Sequence, residues 1–444
     1  MKNFILFFIL STFALTTIYI TSTPGSSQVD ILFSLEAILI SFSLFYLRKT
    51  PFSLFQIFHL FFFIFFCIAP IAQFHHGTIM WKRTNIFTLS DYTIAILYII
   101  LIIVIFNISY IISYKIIKIK QSTEHKFSKL STKHEFILIS VSLISFFIVL
   151  AWNDFNYFSV LFRGGVFATK INIESTSLVL IIRFFIRPIG IFLFLLAKQR
   201  GVKHNISLFV LGFIAIITAP PTGMPRFAAA CLYLPIVLTF FPFFQRKNRI
   251  VILLLFGLLF IFPLLNNFRH FSGNQNISIF ANFDTMFLSG DFDAFQNFMY
   301  VVKYNIITFG HQLAGVLLFW VPRSIWPSKP IGSGFYIADL LNLQFNNISM
   351  PFFGEAYINF GFLGLIIFAS TIGYTLAYVD KYYTNNYKKN NLFNIFYFVL
   401  FGLLFYMQRG DLINSFSYLC SFSLLYFIFS RLINKFTITR EFAS

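Results

Sequence analysis

Long apolar stretches separated by short polar turns run through most of the chain. They recur at residues 3–20, 31–47, 52–72, 92–113, 136–152, 176–197, 206–219, 227–243, 250–265, 355–379, 392–407 and 412–430. Most approach the length of about 20 residues with which a helix crosses a bilayer core of roughly 30 Å. Because a backbone in lipid must satisfy its own hydrogen bonds, each stretch is expected to be a helix. The pattern predicts an all-α, polytopic integral membrane protein with about 12 transmembrane helices in a single membrane domain, residues 1–444.

The segment at residues 266–354, between the ninth and tenth stretches, is mixed in polarity rather than continuously apolar. Its part 306–320 is apolar but short, and it leads directly into Pro322 and Arg323. We expect a long extracytoplasmic segment that contains short in-plane or re-entrant helices. In a protein otherwise built of short loops, such a segment is a common place for function.

The composition excludes a water-soluble protein of this size. Hydrophobic residues make up 58% of the chain and charged residues 11%, against about a quarter charged in soluble domains. The net charge of +18 follows membrane topology rather than a nucleic-acid partner. With the amino terminus inside, 21 of the 33 Lys and Arg residues fall in inner loops and 10 in outer loops. This asymmetry predicts that both termini are cytoplasmic.

A rigid basic loop stands out in the long outer segment, in the sequence VPRSIWPSKPIGSG at residues 321–334. Arg323 and Lys329 are two cations among three prolines that stiffen the chain, and Gly332 and Gly334 permit close approach of the backbone. Arg forks hydrogen bonds onto a phosphate and Lys adds a point charge, so the loop suits a pyrophosphate. Contact of both cations with anionic lipid or water is the alternative.

Further arginines are placed where the positive-inside rule does not need them. Arg183 and Arg187 are four residues apart within the sixth stretch, and therefore on one helical face. They favour a shared anionic ligand, or else pair with an acid such as Glu36. Arg226 closes the turn APPTGMPR, and Arg409 lies in the turn RGD at residues 409–411. Each is also compatible with an ordinary interfacial charge.

Acid–base candidates in the outer part of the chain are His311, Asp291, Asp293 and Glu355. A structural role is the alternative for each: His311 starts a helix, the two aspartates of GDFDAF flank a turn, and Glu355 suits a helix amino terminus. The sequence contains no HExxH and no spaced His/Cys set, so no metal site is predicted. It also has no nucleotide-binding glycine pattern, and no cofactor is predicted.

The stretch VPRSIWPSKPIGSG, followed by FFGEAYINFGFLGLIIFASTIGY, resembles the bacterial oligosaccharide repeat-unit polymerases, the Wzy-type O-antigen or capsule polymerases. The upstream GDFDAFQNF, the intramembrane Arg183 and the late RGD turn also fit that family. The resemblance is strongest over residues 284–375. Arg323 and Gly334 match the spacing, an arginine and a glycine separated by ten residues, known in some of these polymerases.

This resemblance implies a metal-independent membrane glycosyltransferase of O-antigen or capsule biosynthesis in the bacterial inner membrane. The growing glycan would leave undecaprenyl diphosphate for the non-reducing end of a new undecaprenyl-diphosphate-linked repeat unit at the outer face. Membrane lipid and a polysaccharide chain-length regulator are the other expected partners. The expected pyrophosphate-binding residues are Arg323, Arg226, Arg409, Arg183 and Lys329. The expected base is one of His311, Asp291, Asp293 and Glu355.

Two alternatives remain open from the sequence. An O-antigen ligase would use the same donor but transfer the glycan to lipid A core. A lipid-linked oligosaccharide flippase or other transporter is a different class, and internal repeats and short loops are typical of it. The long outer segment and the absence of an internal repeat favour the polymerase.

Overall fold

The computed structural model describes residues 12, 26–81, 86–120, 129–162, 181–261, 286–387 and 391–441. Within these ranges every regular element is a helix, which confirms the all-α fold class. In chain order the helices are α1 (Ser27–Leu47), α2 (Leu54–His75), α3 (Leu89–Ile116), α4 (Thr132–Trp152), α5 (Tyr157–Leu161), α6 (182–200), α7 (Asn205–Thr218), α8 (Arg226–Phe240), α9 (249–261), α10 (Ala294–Lys303), α11 (His311–Leu317), α12 (Ser333–Leu340), α13 (Phe352–Asn386), α14 (Asn391–Arg409) and α15 (Leu412–Glu441).

Among the described residues, eight helices are long and apolar enough to cross a membrane. They are α1, α2, α3, α4, α7 with its following turn, α13, α14 and α15. They confirm a polytopic membrane protein, but the predicted count of twelve is not confirmed. The predicted span 3–20 lies outside the described residues. Helix α6 carries Arg183, Arg187 and Lys198, and with these charges it is not apolar enough to count as a membrane span. Helix α8 has 15 residues, and α9 is described only as far as residue 261.

The chain divides into two compact units. The first comprises Met1–Ile119, Asn282–Tyr382 and Leu404–Phe416, and the second comprises Lys120–Ala281, Tyr383–Leu403 and Ser417–Ser444. The single polytopic domain expected from the sequence stays a prediction.

The core of the first unit is built around α2, which is buried along its whole length. Its phenylalanines form the centre: Phe58 stacks on Phe106 of α3 with ring centroids 3.6 Å apart, and Phe66 packs edge-on against Phe295 of α10. Aromatic rings bury large areas with few rotatable bonds, so these contacts hold α2 rigidly in the core of the unit. The elements that carry the candidate site pack around it.

The long segment predicted at residues 266–354 is described from residue 286 onward. It contains three short helices, α10, α11 and α12, as expected from its interrupted hydrophobicity. Helix α13 follows it directly after Pro351, and a kink at Phe360 and Gly361 divides this helix near its start. Gly361 has φ +60° and ψ −144°, a conformation that only glycine adopts at low cost. The predicted extracytoplasmic position of the segment stays a prediction.

The second unit gathers α4 and α6–α9, together with most of α14 and α15. Helix α6 ends at Gly201, whose φ of +81° stops the helix. Glu135 in the first turn of α4 then fixes the following connection, because its carboxylate accepts hydrogen bonds from His204 N at 3.2 Å and Ser207 Oγ at 2.8 Å. The connection between α6 and α7 is therefore held by the first turn of α4.

Candidate functional site

The short turn at residues 409–411, between α14 and α15, anchors separate parts of the first unit. Arg409 donates from Nε to the carbonyl oxygen of Asp291 at 2.9 Å. Its Nη2 donates to the carbonyl oxygen of Gly290 at 3.2 Å and lies 3.1 Å from Asp293 Oδ1. The guanidinium is thus engaged by the beginning of the segment that leads into α10, and its fork fixes that segment in one orientation.

Asp293 is fully buried, with no exposed surface. Besides Arg409, its carboxylate accepts from Ser349 Oγ at 2.6 Å and from the indole nitrogen of Trp81 at 3.2 Å. A buried carboxylate needs such charged and polar partners to offset the loss of water. The arrangement makes Asp293 a structural link between Trp81, α10 and the chain before α13.

Asp411 holds the end of the basic loop and the start of α13. Its carboxylate accepts from the N–H of Met350 at 2.9 Å and of Gly334 at 3.3 Å. A Cβ on Gly332 would lie 2.3 Å from Asp411 Oδ2, and a Cβ on Gly334 would lie 2.1 Å from Ile348 O. Both glycines are therefore required by close packing. Burial raises the pKa of Asp411 to about 7, although the two N–H donors favour the charged form.

Glu355 is held in the same region. It is 1% exposed, and its carboxylate accepts from Ser333 Oγ at 2.6 Å and from the N–H of Leu412 at 3.0 Å. Ser333 begins α12 and Leu412 begins α15, so Glu355 joins three helix starts. Its oxygens are engaged by these donors rather than turned toward solvent.

The basic loop, residues 321–334, is cross-linked by its own cations. Arg323 is exposed and donates to the carbonyl oxygens of Lys329 at 2.6 Å and Pro330 at 3.3 Å. Lys329 donates from Nζ to Phe319 O at 2.5 Å and Val321 O at 3.0 Å. Burial and the neighbouring Arg323 charge both lower the pKa of Lys329. Two like charges are thus held close together in a loop of fixed shape.

His311 lies beside this loop. It is the first residue of α11, its side chain is exposed, and its ring is edge-on to that of Trp326 with centroids 6.3 Å apart. The start of α11 is fixed by α13, because Gly310 donates to Asn359 O at 3.0 Å and Leu313 to Asn359 Oδ1 at 2.7 Å. Both acceptor atoms belong to Asn359, the residue before the kink in α13.

The second unit holds the remaining predicted arginines. Arg187 donates to three carbonyl oxygens: Thr218 at 3.2 Å, Gly223 at 2.9 Å and Val160 at 3.0 Å. It therefore holds the turn before α8, and none of these three partners is a carboxylate. Neither carboxylate oxygen of Glu36 has a hydrogen-bond partner in the described chain. Arg183 is exposed on the π-helical turn Ile182–Ile186, and Arg226 begins α8.

Within the first unit, the structure joins Arg409 with Asp291 and Asp293, and places His311 beside the loop of Arg323 and Lys329. Glu355 lies with Asp411, which sequence reasoning noted only as part of a turn. Trp81, Ser333 and Ser349 were also missed, because an isolated Trp or Ser carries no motif. Among the residues described, no group of three or more His, Cys, Asp or Glu is placed to hold a metal ion.

Residues 348–441 match the family model described as O-antigen polysaccharide polymerase Wzy. The matched range contains Glu355 and the turn 409–411, and it ends within α15, while the basic loop precedes it. The resemblance identified in the sequence is confirmed for this part of the chain. Neither a curated protein nor a solved structure matches the chain.

Proposed function

We propose that this chain, whose carboxyl-terminal part matches the O-antigen polymerase family model, polymerises lipid-linked oligosaccharide repeat units at the outer face of the bacterial inner membrane. The growing glycan passes from undecaprenyl diphosphate to the non-reducing end of a new undecaprenyl-diphosphate-linked repeat unit. One observation carries the proposal: the turn 409–411, inside the matched range, anchors the chain on both sides of the basic loop.

The basic loop is the proposed binding site for the pyrophosphate leaving group. Arg323 has five N–H donors, of which two are engaged by loop carbonyls. Its remaining donors and its charge stay available at the exposed surface. Lys329 adds a second positive charge, and an anion bound between the two would relieve their repulsion. Because the loop is already cross-linked, little reorganisation accompanies charge development on the leaving group.

His311 is the proposed general base for the acceptor hydroxyl. Of the four acid–base candidates it combines an exposed side chain with a position beside the basic loop. Asp293 and Glu355 are instead buried and engaged by hydrogen-bond donors, and Asp291 accepts from Arg409 through its backbone carbonyl. We assign these three residues to positioning. Arg409 likewise positions the segment. For Arg183 and Arg226, donor binding stays a prediction from the sequence.

The decisive experiment replaces the chromosomal gene with plasmid-borne variants and resolves the surface polysaccharide on a gel. Arg323→Ala and His311→Ala should each leave lipid A core carrying a single repeat unit, as deletion does. Arg431→Ala is the matched control, because this exposed arginine on α15 lies over the Phe427 ring and belongs to the second unit; it should keep the full ladder.

Two outcomes would contradict the proposal. A normal ladder with Arg323→Ala would remove the basic loop from the chemistry. Loss of all surface repeats on deletion, with polymer accumulating on undecaprenyl diphosphate, would identify a ligase instead.

A further inference from the structure

A second polar site lies in the second unit, at the ends of α6, α8 and α14. There a cavity of about 240 Å³ is lined by residues that include Lys198, Thr239, Tyr383 and Asn394. None of these residues takes part in the proposed transfer reaction. The volume is sufficient for a phosphate ester with a small organic substituent.

Three buried polar atoms at this cavity have no hydrogen-bond partner in the described part of the chain: Gln199 Oε1, Thr239 Oγ1 and Asn394 Oδ1. The orientation of the Asn394 amide is fixed, since its Nδ2 donates to Tyr387 O at 2.7 Å. Buried acceptors are seldom left unpaired in folded proteins. An occupant that carries hydrogen-bond donors would satisfy these atoms.

The charge of the lining points to an anionic group on the same occupant. Lys198 is an exposed lysine that lines the cavity, and its ammonium lies 4.7 Å from the centre of the Phe240 ring. No carboxylate occurs among the described residues that line the cavity. Tyr383, stacked on Tyr397 at 3.9 Å, and Tyr387 form an aromatic wall. Such a wall is rigid and suits the glycerol or alkyl part of a lipid headgroup.

We propose that this cavity binds a phosphate ester whose substituent bears hydroxyl or ammonium groups. Lys198 binds the phosphate. The acceptors of Gln199, Thr239 and Asn394 receive hydrogen bonds from the hydroxyl or ammonium groups. Phospholipid headgroups and free polyol phosphates share this chemistry. The site is separate from the basic loop, which belongs to the first unit.

The test measures the melting temperature of the purified full-length protein in detergent with four additives. These are phosphatidylglycerol, phosphatidylethanolamine, phosphatidylcholine and glycerol 3-phosphate. Phosphatidylcholine has the phosphate but lacks the donors, so it is the matched negative probe. Stabilisation by phosphatidylglycerol or phosphatidylethanolamine above phosphatidylcholine supports a lipid ligand, and stabilisation by glycerol 3-phosphate supports a free ester.

Lys198→Met and Thr239→Val should each lower the apparent affinity for the stabilising ligand at least tenfold. Both changes keep side-chain size, so the folded protein is retained for measurement. Lys203→Met, at an exposed lysine outside the cavity lining, is the charge-matched control and should bind as the wild type does. Equal stabilisation by phosphatidylcholine, no stabilisation by any probe, or unchanged affinity in both cavity variants overturns the proposal.

Discussion

Three carboxylates near the turn 409–411, those of Asp293, Glu355 and Asp411, serve mainly to join distant parts of the chain. Each accepts at least two hydrogen bonds from donors on other elements. In a chain with only 15 acidic residues, three in one region are a large share. This concentration identifies the region as the part of the first unit where precise positioning matters most.

Removing the charge of Asp293 should destabilise the first unit. In Asp293→Asn the guanidinium of Arg409 loses its ionic partner, and breaking a buried pair from one side costs on the order of 3 kcal/mol. We expect a clearly lower melting temperature and a shortened polysaccharide ladder. Asp339→Asn, at an exposed aspartate on α12, should leave both unchanged. Equal melting temperatures for the two variants would show that the pair contributes little.

Asp411 should make stability depend on pH. Its pKa is raised from an ordinary value of about 3.9 to about 7 by burial. Between these values the folded state keeps a proton that the unfolded state has released, so the contribution of Asp411 to stability falls as pH rises. The melting temperature of the wild type relative to Asp411→Asn should therefore decrease from pH 5 to pH 7 and then level off. A difference that is constant with pH would contradict the burial of this carboxyl.

The sequence identified most residues of the site region but not their roles. Arg187 was expected to bind an anion or an acidic side chain, yet it donates to three backbone carbonyl oxygens. Because every residue type has a backbone carbonyl, the sequence does not indicate such partners. The role of Asp411 was not predicted, because its partners are backbone N–H groups 61 and 77 positions earlier in the chain. Local motifs carry no record of such distant contacts.

Among the elements, the membrane helices were the most predictable, because a long apolar run has few alternatives in lipid. The kink in α13 was not predicted, although Gly361 was visible in the sequence, since a single glycine is tolerated in a straight helix as well. The π-helical turns in α1, α2 and α6 were missed for the same reason: the apolar pattern is compatible with either turn. Element boundaries therefore needed the structure.

The connection from the basic loop into α12 should tolerate no side chain at Gly334. In Gly334→Ala the new Cβ would lie 2.1 Å from Ile348 O and 2.9 Å from Asp411 Oδ1, which forces the loop off the turn. We expect the polysaccharide ladder to collapse while the protein still accumulates in the membrane. Gly257→Ala, where nothing lies within 4 Å of the new Cβ, is the control and should retain full-length polymer. A normal ladder from Gly334→Ala would mean that this docking is dispensable.

At the scale of the whole molecule, the uneven distribution of basic residues predicts the orientation of the protein. Ser324→Cys in the basic loop should react with a membrane-impermeant maleimide in intact spheroplasts. Lys247→Cys, in the connection between α8 and α9, should react only after lysis. Both positions are exposed. The unsubstituted protein is the control: Cys67 and Cys231 are buried, and any labelling of the half-buried Cys420 sets the background. The reverse pattern would overturn the orientation and the side on which the reaction is placed.

The anchoring turn also constrains the biosynthesis of the protein. Arg409 and its partner Asp291 are separated by 118 positions, so the ribosome completes the outer segment long before it makes the anchor. Until α14 and α15 enter the bilayer, the Asp293 carboxylate has no guanidinium and Glu355 lacks the N–H of Leu412. A nascent chain stalled before residue 409 is consequently a distinct, incompletely assembled species in which these two carboxylates lack part of their partners.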